Sequence, residues 1–168
     1  MRRARQGAAL VVFAVSAVAL IATSKALYQS SASGTTEATI SVPAGGSQSY
    51  TVAVDPGTLD TSFFDIEATA TVTADVPTTM TLAITHESDS GISSSEDVES
   101  SKPVDGAETL IVSSGASMYD TPILTLTAGK DGGLEGSLEV QVSATWEHSD
   151  PPEDTGTLPI TVELVAVE

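Results

Sequence analysis

Phe64-Asp65-Ile66-Glu67-Ala68-Thr69-Ala70-Thr71-Val72-Thr73-Ala74-Asp75-Val76 puts an apolar residue at every even position and a polar one at every odd position. A period of two belongs to a β-strand with one face buried; a helix of 3.6 residues per turn would scatter these residues around its surface. The run is longer than most strands, so a bend or bulge is expected within it. One long amphipathic strand of this kind demands further strands beside it and an apolar layer beneath it.

The rest of the body supplies both. Ala38, Ile40 and Val42 alternate with polar neighbours before Pro43-Ala44-Gly45-Gly46, and Tyr50, Val52 and Val54 alternate before Asp55-Pro56-Gly57. Both intervening tetrads and triads have turn chemistry. Val76-Pro77-Thr78-Thr79 reads as a hairpin turn into Met80, Leu82 and Ile84. A Ser- and acid-rich loop is expected over His86–Glu108, followed by a short apolar strand over Thr109–Val112 and another over Pro122–Ala128. Lys130-Asp131-Gly132-Gly133 reads as a turn. Leu138, Val140, Val142, Ala144 and Trp146 alternate next, and Leu158, Ile160, Val162 and Leu164 close the series. Strands rich in Thr and Val with turns between them predict an all-β fold, an immunoglobulin-like β-sandwich of 7–8 strands preceded by one N-terminal apolar helix. Trp146 is the expected core anchor. The expected organisation is 1–27 as an export or anchoring segment, 28–36 (Tyr28–Thr36, small and polar) as a linker, and 37–168 as the sandwich domain.

Charge is divided sharply along the chain. The 168 residues hold 23 Asp+Glu and 6 Lys+Arg, a net charge of −17. Arg2, Arg3, Arg5 and Lys25 precede every acid, so from Leu27 onward the acids face only Lys102 and Lys130 and the balance is −21. Nucleic acid is excluded as a partner, because phosphate neutralisation needs clustered basic side chains. No cysteine is present, which excludes disulfides, thiolate metal sites and thiol nucleophiles. The body also has no Asn and hence no N-x-Ser/Thr acceptor.

The basic head is followed by Ala8–Ala22, interrupted by Ser16 alone. Ala8, Leu10, Val11, Val12, Phe13, Val15, Val18, Leu20 and Ile21 are the expected membrane-helix residues. A basic n-region before such a segment is an export pattern, with the positive end held on the cytoplasmic side. Fifteen helical residues reach only ~22 Å, short of a ~30 Å hydrocarbon core, and extension to Leu27 brings the length up to it. Cleavage between Ala26 and Leu27 would use the small–x–small Ser24-Lys25-Ala26, whereas an uncut anchor would let Lys25 reach the outer interface.

A third fate comes from resemblance. Gln6-Gly7-Ala8-Ala9-Leu10-Val11-Val12-Phe13-Ala14 resembles the N-terminus of type IV pilin-like and Tad-type proteins. The resemblance implies processing between Gly7 and Ala8 and a polymerising apolar helix; it departs at Val12, where the family usually has Glu. The acidic, Lys-poor body is similar to secreted haloarchaeal proteins, and this implies a halophilic archaeon in which salt screens the self-repulsion of the surface.

Candidate chemistry is sparse. His86-Glu87-Ser88-Asp89 and Glu147-His148-Ser149-Asp150 both pair imidazole with carboxylate, the raw material of a metal site or a general base. If strands simply alternate in direction, the two end at opposite poles. No G-x-S-x-G elbow and no phosphate-cradling glycine motif occurs. Asp89, Glu96, Asp97 and Glu99 are the candidate Ca²⁺ ligands of the acidic loop, although its Ser90–Ser101 portion has the composition of a mobile solvated segment. No cofactor is expected, and no catalysis. The expected role is a structural protein of the cell surface or extracellular space, anchored in the membrane through residues 8–27 unless cleaved, or a pilus or filament subunit. Its expected self-association runs through the N-terminal helix or through edge strands. The alternative is an adhesin or ligand-binding β-sandwich, with Tyr50, Tyr119 and Trp146 as contact residues.

Overall fold

The structure, a computed structural model, describes residues 28–57, 62–88, 95–148 and 158–167. The chain divides into two units, Met1–Ser30 with Glu147–Thr155, and Ser31–Trp146 with Gly156–Glu168. The second carries the core. The apolar segment from Ala8 and the processing positions Gly7, Ala8, Ala26 and Leu27 lie outside the described residues.

The fold is all-β. Its strands are β1 (Tyr28–Val42), β2 (Ser47–Asp55), β3 (Phe63–Ser88), β4 (Val98–Ser117), β5 (Asp120–Ala128), β6 (Leu134–His148), β7 (Leu158–Pro159) and β8 (Thr161–Ala166). They form one sheet in the order β7-β1-β6-β3-β5-β2-β8, with β4 added beside β3. The body is a nearly closed, barrel-like sheet.

The deciding strand is longer than expected. The Val76–Thr79 hairpin does not exist: β3 runs through it to Ser88. Its first half, Asp65–Thr73, pairs with β6, and its second, Met80–Ser88, pairs with β5. β4 lines the other side of both halves. Between the pairs Ala74–Gly106 and Thr78–Val104, three residues of β3 (Asp75-Val76-Pro77) oppose Asp105 alone. Such a bulge bends the ribbon, and Pro77 contributes no N–H that would hold it flat. Gly106 completes the corner with φ of 85°, a conformation that costs an L side chain dearly. Thr78 stands four positions after Ala74, an even step, so even positions point inward on both sides of the bend. Ala68, Ala70, Val72, Met80, Leu82 and Ile84 are all buried, whereas Val76 at the corner is half exposed.

Two further expectations are corrected. Tyr28–Thr36 is strand, the first part of β1, where a linker was expected. The loop expected over His86–Glu108 gives way to β4 from Val98 onward, so part of the expected mobile Ser90–Ser101 segment is strand as well; residues 89–94 lie outside the described residues. The first half of β4 was hidden because its inward positions include Ser100 and Lys102. Lys102 can occupy one because its Nζ pairs with Glu108 and also donates to Thr109 O at 3.4 Å, both on the other side of the bend. The turns at Pro43–Gly46, Asp55–Gly57 and Lys130–Gly133 lie where the sequence puts them.

The core gathers the alternating residues of β1–β6: Ile40, Val42, Tyr50, Val52, Phe64, Ile66, Leu124, Leu126, Leu138, Val140 and Val142 among them. Trp146 packs against its margin rather than at its centre. The sheet is drawn together on one side by the segment β7–β8, which is parallel to β1 at Ala32–Ser33 and antiparallel to β2 along Tyr50–Asp55. Ile160 at the crossing donates its N–H to Ser33 O at 2.9 Å. Gly34 makes this crossing sterically feasible, since a Cβ there would lie 2.0 Å from Ile160 O.

Candidate functional site

The two ends of β3 fall at one end of the body. Phe63 is opposite Ser117 and Ser88 is opposite Asp120, and only the tight turn Met118-Tyr119 separates Ser117 from Asp120. β6 also runs toward this end, with Ser143 opposite Asp65. The premise of simple alternation therefore fails, because the bend in β3 returns the chain to its starting level. The side chain of His148 lies outside the described residues, and with it the joint histidine site.

A small polar network fixes the turn. Ser95 Oγ donates to Asp120 Oδ2 at 2.6 Å and accepts from Ser117 N at 2.9 Å. Tyr119 N donates to Ser117 Oγ at 3.3 Å, and Met118 N donates to Ser62 O at 3.0 Å. Burying Asp120 (8% exposed) is tolerable because a hydroxyl reaches its carboxylate. Beside this network lies a cleft of about 420 Å³, lined by Val52, Val54, Pro56, Phe64, Met118 and Pro122 among others. Phe63 (62% exposed), Met118 and Tyr119 (76% exposed) stand at the same turn. The arrangement is an apolar recess with one carboxylate in its wall, suited to an apolar group and not to a phosphate.

His86 contributes half of an acid–base pair. Asp97 Oδ1 accepts from His86 N at 2.9 Å and lies 3.4 Å from His86 Nδ1. The imidazole is wholly enclosed, and its Nε2 has no hydrogen-bond partner among the described residues. No hydroxyl of the described residues is therefore placed for activation by it.

Of the candidate Ca²⁺ ligands, Asp89 lies outside the described residues. Asp97 is engaged by His86, Glu96 accepts from Ser114 Oγ (2.8 Å) through its main-chain oxygen, and Glu99 stands on β4 opposite Ala83. Among the described residues no three His, Asp or Glu side chains gather in a way that could hold a metal ion. Tyr50, a contact candidate in the sequence, is core: its hydroxyl donates to Thr39 O at 3.2 Å, and burial raises its pKa.

Sequence reasoning missed Asp120, Ser95 and the open side of β4. The one available signal was the absence of any charge from Thr109 to Ser117 in so acidic a chain. No family model matches the chain, and neither the curated proteins nor the solved structures yield a match.

Proposed function

We propose that the chain is a non-catalytic structural protein of the cell surface, exported through its N-terminal apolar segment and then held in the membrane or built into a pilus or filament. The observation that carries this reading is the charge division: every base but two sits at or before Lys25, flanking Ala8–Ala22, and the all-β body behind it is wholly acidic apart from Lys102 and Lys130. Such a chain is oriented for export, and its body suits a salt-rich exterior, as in a halophilic archaeon. The bent β3–β4 ribbon supports reading the barrel-like sheet as an immunoglobulin-like sandwich, since each ribbon half joins a different set of strands.

The mature N-terminus tests the proposal, by intact mass and terminal sequencing of native protein from membrane and medium. A start at Ala8 supports a pilin-like subunit, and an uncut membrane-held chain supports an anchored surface protein. A chain recovered uncut from the cytoplasm overturns export altogether.

A second reading, a binding module, is favoured by the cleft beside Met118-Tyr119. It expects saturable binding of a small apolar fluorophore that Val54→Trp abolishes by filling the recess.

A further inference from the structure

We infer that the open side of β4 is a self-complementary edge that pairs, antiparallel and about a two-fold axis at Ser113, with the same edge of a second copy. This names a partner within the structural role proposed above.

β4 has β3 as its strand partner along its whole length, and among the described residues no strand pairs with its other side. Two contacts fix which main-chain groups face outward. Met118 N donates to Ser62 O on the β3 side, whereas Ser117 N donates to Ser95 Oγ, off the ladder. Since the N–H and C=O of one residue point the same way and neighbours point oppositely, the odd residues Thr109, Ile111, Ser113, Gly115 and Ser117 face away from β3. Both limits of this row are already occupied: Thr109 O receives Lys102 Nζ at 3.4 Å, and Ser117 N is taken by Ser95. Between them stand Ile111, Ser113 and Gly115, a set symmetric about Ser113; Gly115 O also lies 3.3 Å from Ser114 Oγ, which makes its shorter bond, 2.8 Å, to Glu96 O.

That symmetry selects a second copy. In an antiparallel pair centred on Ser113, each Ser113 faces its equivalent and each Ile111 faces Gly115 of the other copy. Ile111 is 54% exposed, and Gly115 has open space where a Cβ would stand. A projecting side chain thus meets an unfilled position twice, as an isologous interface requires. Directly opposite residues share a face, so buried Leu110, Val112, Ser114 and Ala116 would continue the inner layer of the joined sheet. Charge points the same way. Copies of net charge −17 repel over most of their surface, and Thr109–Ser117 carries no charge at all. The first half of β4, by contrast, carries Lys102 and Pro103 and ends opposite the bulge of β3, features by which proteins blunt an edge. Asp65 and Glu67 lie on the neighbouring strand, with Ser113 Oγ 3.5 Å from Glu67 Oε2. Pairing is therefore expected to need salt, which screens these carboxylates.

The absence of native cysteine allows a direct test on the full chain in detergent at molar KCl. Ser113→Cys, treated with a short thiol-to-thiol crosslinker, is expected to give a covalent dimer, and Glu139→Cys on the same outer surface, two strands away, is not. Adding Ile111→Glu, or the milder Ile111→Ser, is expected to abolish the crosslink without lowering the melting temperature. Equal crosslinking at 113 and 139, none at 113, or a dimer indifferent to both Ile111 variants overturns the inference; the last would place association in the apolar segment or elsewhere. A chain found at the cell surface that fails to crosslink at 113 refutes this interface while leaving the proposed function standing.

Discussion

Leu82 has no exposed surface and sits where β3 is flanked by Ser100 of β4 and Leu126 of β5. Removing its branched end leaves a void that a close-packed sheet cannot collapse around. Leu82→Ala is expected to cost about 2–5 kcal/mol in urea unfolding. Tyr50 tests a different term. Its hydroxyl is bonded to Thr39 O, so Tyr50→Phe should cost about 1 kcal/mol near neutral pH. Burial raises the phenol's pKa above 10.0, which means the fold favours the neutral form. That contribution is fully present below the unfolded pKa and is lost as pH rises through the folded one. Wild-type stability should therefore fall at strongly alkaline pH more than that of Tyr50→Phe, as measured by urea titrations across that range. A wild-type curve parallel to the variant's would show that the phenol does not carry this dependence.

At the scale of elements, the β3–β4 ribbon determines the architecture. A straight β3 would give one flat sheet with an apolar face open to water. The bulge turns that face inward on itself, so Met80–Ile84 covers the same core as Phe64–Val72. Gly106 is the narrowest requirement of this bend. Gly106→Ala, forced into a positive φ, should destabilise by about 1–2 kcal/mol. Gly115→Ala, in open extended strand, should stay within about 0.5 kcal/mol of wild type. Equal effects of the two in thermal melts would mean that the corner is not where the ribbon is constrained.

At the scale of the whole molecule, electrostatics dominates. A body with 23 carboxylates and two lysines pays for compactness in self-repulsion, and screening by salt relieves it. The melting temperature of the full chain should rise steeply between dilute buffer and molar KCl. A flat response would contradict adaptation to high salt. Salt should also promote pairing through β4, so sedimentation and melting are expected to change together in wild type and separately in Ile111→Glu.

The sequence by itself determined that the body is β, which face of most strands is buried, and where three of the turns fall. These properties are local: a period of two, a Pro-Ala-Gly-Gly tetrad or an Asp-Pro-Gly triad acts on its own few residues. The continuity of β3 was decided only in the tertiary structure, because Val76-Pro77 is equally compatible with a reversal and a bulge, and the choice rests on the strands that lie alongside. β4 was concealed for the same reason, since Lys102 becomes tolerable at an inward position only when Glu108 arrives across the bend. The cleft at Met118-Tyr119 and the open edge at Ile111–Gly115 likewise join residues whose proximity no spacing encodes. Strand pairing between distant segments is a property of the folded sheet, and the groups that it leaves unpaired are known only once the pairing is complete.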